Sequence, residues 1–195
     1  MVSAGYFPLS SGLWRNRDGT LLYMLGPNST ATEEEPMPHA GSMGFSAGDP
    51  ACAFCGIVSG RLRASRVYED ARVLSFMDIH PASRGDLLVI PKVHATGLED
   101  IDEALMTDLF RVVHLLARAL RHSGLPCEGV NLFLADGEAA GQTVFHLHVH
   151  VFPRTAEDRF HLEVRWQERS RAALDDDAAQ IRTALERSGH HSGWL

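Results

Sequence analysis

"VFHLHVHVFPR" runs from Val144 to Arg154 and sets His146, His148 and His150 at every second position among apolar neighbours. In a β-strand, alternate side chains share a face, and residues two apart lie ~7 Å from each other. The pattern predicts Phe145, Leu147, Val149 and Val151 on the core face and a row of three imidazoles on the other. A single histidine at such a place is most simply part of a solvated strand face. Three in register call for a chemical reason, because other polar residues serve solubility equally well. Imidazole can be a nucleophile, a general acid or base, or a metal ligand. The preceding Gly141-Gln142-Thr143 adds amide, hydroxyl and backbone donors, a set suited to an anionic, phosphorus-centred substrate.

Outward from that segment the chain reads as strands around one long helix. "RVYED" (66–70), "RVLSFMDI" (72–79), "GDLLVIPK" (85–92) and "GVNLFLA" (129–135) are predicted strands, joining "TVFHLHVHVF" (143–152). Ile101, Leu105, Leu109, Val112, Leu116 and Leu120 recur at helical spacing, with Asp100 or Asp102 as the cap and Gly124 as the stop. "CAFCGIVSG" (52–60) reads as a short turn or helix closed by Gly60, and "LDDDAAQIRTALERSG" (174–189) as a terminal helix. A strand-rich run with one central helix is an α+β domain with an antiparallel sheet. The expected division is an extension over 1–50, a domain over 51–160, and a helical segment with a tail over 161–195. The extension mixes Gly, Ser, Pro and Thr with Glu33-Glu34-Glu35 and is expected to be mostly disordered. A small hairpin around Asp18-Gly19 is the alternative.

The chain has 195 residues, 45% of them hydrophobic, and a formal net charge of -7. That balance argues against a nucleic-acid polymer as partner, since phosphate-backbone affinity needs clustered Lys and Arg. No apolar run approaches the ~18 residues of a membrane span, and no secretory signal is evident, so a cytoplasmic protein is expected. Three cysteines, Cys52, Cys55 and Cys127, do not make a disulfide framework. Cys52 and Cys55 have zinc-knuckle spacing, but two further ligands are needed, and free thiols or a redox pair are the alternatives.

"GQTVFHLHVHVFPR" resembles the signature of the histidine-triad (HIT) superfamily, and the likeness continues upstream. "CAFCGIVSGRLRASRVYED", "VLSFMDIHPASRGDLLVIPKVH" and "NLFLADGEAAGQTVFHLHVHVFPR" are similar to segments of bacterial HIT proteins. The resemblance covers about residues 51–160. It implies a HIT-like fold, with a five-stranded antiparallel sheet, one long helix and a homodimer that shares a continuous sheet. "MGFSAGDPACAFCGIV" resembles the usual start of such domains, so residues 1–42 are expected to be dispensable and Met43 is a candidate start.

The implied activity is hydrolysis at the α-phosphate of dinucleoside polyphosphates or nucleoside phosphoramidates. By resemblance, His148 is the nucleophile and forms a covalent nucleotidyl-histidine. His150, Gln142 and Thr143 contact the phosphate or leaving group. Asp78 accepts from the ribose, and Phe54, Ile57, Phe76 and Ile79 line the base pocket. A structural zinc is implied at Cys52, Cys55, His94 and His146, which leaves His148 and His150 free for chemistry. Two positions depart from the family pattern. Asp86 stands where many relatives have His, and Ala135 where many have Asn, unless Asp136 replaces its contact. Nucleotidyl transfer to another acceptor and a nucleotide-binding scaffold with little turnover are the rival readings.

Overall fold

The computed structural model describes residues 48–158, 160–161 and 166–189, together with the backbone of three short strands nearer the N-terminus. Those strands, β1 (Phe7–Pro8), β2 (Leu13–Arg15) and β3 (Leu21–Tyr23), pair antiparallel in chain order. Leu13 faces Tyr23 and Arg15 faces Leu21, while Asp18-Gly19 between them lies outside the described residues. The proposed start at Met43 lies outside the described residues.

The main sheet has five strands: β4 (Arg66–Glu69), β5 (Val73–Met77), β6 (Leu87–Pro91), β7 (Gly129–Phe133) and β8 (Val149–Arg154). They are antiparallel throughout, in the spatial order β4-β5-β6-β8-β7. Each of the five predicted strands is present, and each is shorter than its sequence pattern. Between the edge strands, β5, β6 and β8 are covered on both faces, which explains their near-continuous apolar sequences.

One face packs against α2 (Glu103–His122). Val73, Leu87, Val89, Val149 and Val151 from the sheet meet Leu109, Val112, Val113, Leu116 and Leu120 from the helix. Each such side chain, fully buried, contributes roughly 1.5–3 kcal/mol. Asp102 caps the helix, its carboxylate accepting from the Leu105 N–H at 2.6 Å. The other candidate cap, Asp100, instead accepts from the Thr96 N–H at 2.8 Å and ties down the preceding loop.

The opposite face carries a second cluster of Phe54, Leu74, Phe76, Leu88 and Ile90. Phe54 comes from α1 (Ala53–Val58), the short helix in the Cys-x-x-Cys segment. Period-2 alternation sends Leu87 and Val89 to the α2 side and Leu88 and Ile90 to the α1 side. By the same parity, Val149 and Val151 of β8 face α2 and His150 faces the α1 side.

The histidine segment departs from the expected strand. β8 begins only at Val149, so His146 and His148 sit in the irregular approach to it. The β6–β8 ladder runs from Leu87↔Val151 to Val89↔Val149 and goes no further, although β6 continues to Pro91. Pro91 has no N–H to give to a ladder. Leu147 donates its N–H to the Ala95 carbonyl instead, at 2.6 Å. Alternation fails there: Leu147 is in the core as expected, but Phe145 turns outward and is 47% exposed. The placement of Phe145 on the core face is thereby corrected.

Residues 161–195 form a separate unit, in which α3 (Arg171–Arg187) is capped by Ser170 through the Ala173 N–H. Among the described residues, no helix is long and apolar enough to cross a membrane.

Candidate functional site

Cys52 and Cys55 sit on the first turn of α1, Cys52 as its N-cap, so that both sulfurs point the same way. His94 follows β6, and His146 lies in the approach to β8. Cys55 Sγ is 3.3 Å from His94 Nδ1 and 3.6 Å from His146 Nδ1, and Cys52 Sγ is 3.5 Å from His146 Nδ1. All four donor atoms lie within 4.8 Å of one another. In tetrahedral zinc coordination, with Zn–S about 2.3 Å and Zn–N about 2.0 Å, neighbouring sulfur and nitrogen donors stand about 3.5 Å apart. The cluster has those edges.

Burial sets the protonation of two of the four groups. Burial pushes the Cys55 thiol up to about 11, with the Cys52 sulfur adding to it. Burial pushes His146 down to about 4, so its imidazole is neutral. Its Nε2–H donates to the Pro91 carbonyl at 2.9 Å, which leaves the Nδ1 lone pair facing both sulfurs. An outer hydrogen bond that fixes the tautomer is what a metal-binding histidine requires. Pro91 was absent from the sequence-derived site. The available signal was that a proline interrupts a ladder and leaves carbonyls nearby for other donors.

His148 is 3% exposed. Its Nδ1–H donates to the His146 carbonyl at 2.7 Å, so in the neutral ring Nε2 carries the lone pair. Burial holds this imidazole below its usual range, with the His146 carbonyl opposing that shift. The ring of Phe54 meets it edge-on, with centroids 5.4 Å apart.

His150 has a different setting. Its Nδ1 lies 3.6 Å from Asp78 Oδ2 and 3.5 Å from Asp86 Oδ1. Asp86 is wholly buried, and its other oxygen accepts from the Ala82 N–H at 2.9 Å. The departure at Asp86 therefore stands directly against the last histidine of the triad.

The remaining sequence-derived residues divide. Thr143 Oγ1 is buried and has no hydrogen-bond partner among the described residues. The Gln142 amide is committed to backbone. Its Oε1 accepts from Gly137 at 2.8 Å, and its Nε2 donates to Thr96 at 2.7 Å and Val144 at 3.2 Å. Through these bonds the side chain braces the loop. Phe54 and Phe76 come together edge-on, with centroids 5.4 Å apart, and Ile57 packs against their cluster. Ile79 is outside that cluster and 82% exposed. Asp78 turns its carboxylate toward His150 and to the His80 N–H, at 2.8 Å. One oxygen of Asp136, beside Ala135, accepts from the Leu98 N–H at 3.3 Å.

Comparison with known proteins agrees with this geometry. The HIT domain family model matches residues 59–157. Protein hit of Bacillus subtilis is 42% identical over 103 residues, covering 53% of this chain and 70% of the relative. The adenylylsulfatase HINT3 of Arabidopsis thaliana is 32% identical over 137 residues, covering 70% of this chain and 68% of the relative. The crystal structure of a Zn-bound histidine triad family protein from Mycobacterium smegmatis superposes with a TM-score of 0.56 at 40% identity, covering 69% of this chain and 97% of the other. The sheet order, the three alternating histidines and these matches agree: the chain belongs to the HIT-domain family.

Proposed function

We propose that this protein hydrolyses nucleotides at the α-phosphorus, acting on dinucleoside polyphosphates or nucleoside phosphoramidates through a covalent intermediate on His148. The observation that carries the reading is the 2.7 Å bond from His148 Nδ1 to the His146 carbonyl. It fixes the tautomer, so that Nε2 can attack phosphorus without first losing a proton. The bond from phosphorus to the leaving group breaks as the N–P bond forms. Water then attacks the same phosphorus and releases the mononucleotide and free His148. Thr143, through its unpartnered hydroxyl, and His150, through the nitrogen not facing Asp78 and Asp86, donate to the phosphate oxygens as charge develops. Phe54, Ile57 and Phe76 form the apolar wall beside His148, with Ile79 at its exposed rim. Gln142 holds the loop that carries Thr143. A relative named as an adenylylsulfatase supports nucleotide hydrolysis as the reaction class.

Zinc at Cys52, Cys55, His94 and His146 would supply a cross-link between α1, the end of β6 and the triad, with no part in the reaction. The edge strand β7 exposes Leu132 and Phe133, and α2 exposes Phe110 and Leu115, which supports a homodimer formed through these elements. The absence of a membrane-spanning helix among the described residues is consistent with a cytoplasmic setting. A nucleotide-binding protein with little turnover is the second reading, favoured by the buried methyl of Ala135.

Turnover of a panel of dinucleoside polyphosphates and AMP phosphoramidates, with His148→Ala as control, tests the proposal. Mononucleotide release that falls by about a thousandfold or more in His148→Ala, with nucleotide binding retained, is the expected outcome. Unchanged turnover in the variant overturns the assignment of the nucleophile. Binding without turnover by the unaltered chain establishes the second reading.

A further inference from the structure

We propose that Asp78, Asp86 and His150 form a second cation site, distinct from the Cys2His2 cluster and suited to a divalent first-row ion. Its binding does not depend on the hydrolase reading, although its role in the reaction rests on that reading.

The side chains of Asp78 and Asp86 are 5% and 1% exposed, and each has one oxygen satisfied by a backbone N–H. The other oxygens, Asp78 Oδ2 and Asp86 Oδ1, are buried without a hydrogen-bond partner among the described residues. Both face the same atom, His150 Nδ1, at 3.6 and 3.5 Å. A ring nitrogen carries at most one hydrogen, so His150 can donate to only one of the two in any protonation state. A buried carboxylate oxygen left without a donor is costly. One cation bonded to all three atoms satisfies both carboxylates at once.

With metal–oxygen and metal–nitrogen bonds of about 2.1 Å, donors in a tetrahedral set stand about 3.4 Å apart, close to the two distances from His150 Nδ1, and the three donor atoms all lie within 4.8 Å of one another. Two carboxylates and one imidazole suit a harder divalent ion such as Mn2+ better than the softer ions, zinc among them, that thiolates select. Three protein ligands leave a coordination position for water or a phosphate oxygen. The backbone N–H groups of His80 and Ala82 hold the carboxylates in place, as outer hydrogen bonds do around metal ligands. His148 is adjacent, its ring centroid 5.3 Å from that of His150, so positive charge here would lie beside the nucleophile.

The test uses the full chain, zinc-loaded so that the thiolate cluster is satisfied, with Mn2+ as the probe. Titration followed by the electron paramagnetic resonance signal of free Mn2+ should show one ion bound per chain. Asp86→Asn, with unchanged zinc content and circular dichroism, should weaken that binding at least about tenfold. Should the variant not fold, the unaltered chain still decides: bound Mn2+ should broaden the ring signals of His150 selectively over those of His114 and His122 on α2. No uptake of Mn2+ at millimolar concentration, equal binding by folded Asp86→Asn, or equal broadening of all three histidines overturns the site. Turnover without Mn2+ uptake removes the site and leaves the hydrolase reading; uptake without turnover does the reverse.

Discussion

His146 and His150 are four residues apart in one motif, but their surroundings have little in common. His146 faces two sulfurs and a second imidazole, with its outer nitrogen bonded to a carbonyl. His150 faces two carboxylates. Between them, His148 touches neither set of charges closely and is held by one backbone carbonyl. The cause is where the strand begins. His150 is in the β6–β8 ladder, and its direction follows from the pleat. His146 precedes the ladder, and the chain is free there to turn its ring toward α1. A regular strand would have pointed all three rings into similar surroundings. The irregular approach gives His146 surroundings different from those of His150.

The largest effect that separates the two ends is expected from Cys55→Ser. Loss of one sulfur should remove the zinc, about one ion per chain by elemental analysis of the unaltered protein, and lower stability by ~3 kcal/mol or more. The surroundings of His150, read by its ring chemical shifts in the still-folded fraction, should change little. Full stability with no zinc in either protein would show that the cluster is a pair of thiols near two histidines.

A smaller effect, at the other end, is expected from Gly85→Ala. Gly85 has φ +103°, a region where only glycine is unstrained, and an added Cβ would lie 2.9 Å from Leu125 Cδ1 and 3.0 Å from Pro153 Cγ. The cost should be about 1–3 kcal/mol in denaturant unfolding. Because the next residue is Asp86, His150 shifts should move while zinc content stays constant. Loss of zinc in this variant would mean that the two ends are not independent.

The smallest effect is a control away from both. Arg154 donates to Asp158 at 2.6 and 2.7 Å and stacks on Phe160. That hydrogen-bonded guanidinium holds the Asp158 carboxyl well below the usual carboxylate range. A carboxyl depressed in the folded state stabilises fully above its unfolded value, ~3.9, and loses that contribution as pH falls toward the folded value. Asp158→Asn should therefore cost below ~1 kcal/mol at pH 7, with the difference from the unaltered chain shrinking below about pH 4. Zinc content and His150 shifts should not respond. A difference that grew in acid would reverse the assigned sign.

The sheet and α2 were legible because their signals are local. The unbroken apolar run "LLVIP" reports a strand buried on both faces, and the helical recurrence of Leu109, Val112 and Leu116 reports which face of α2 is buried. The Cys2His2 set was legible only through family resemblance, since nothing local connects Cys52 with a histidine 94 positions on. The face of Phe145 was misread, and the bonds of the Gln142 amide were not legible, each for a tertiary reason. The alternation of apolar residues before Val149 does not reveal that Pro91 stops the ladder, so Phe145 was assigned a face it does not have. The Gln142 amide is taken by the carbonyls of Thr96 and Val144, acceptors set by a loop path that no spacing encodes. Asp86 was visible as a departure, but its meeting with His150 depends on the register Leu88↔His150, a tertiary fact.

The division of labour within the triad is tested most directly by rapid acid-free quenching of the zinc-loaded protein with a labelled dinucleoside polyphosphate, followed by mapping of the labelled peptide. Nucleotide attached to His148 through an acid-labile N–P bond, with none on His146 or His150, is the expected result. Label on His150, or a burst of mononucleotide with no covalent label on the chain, would contradict it.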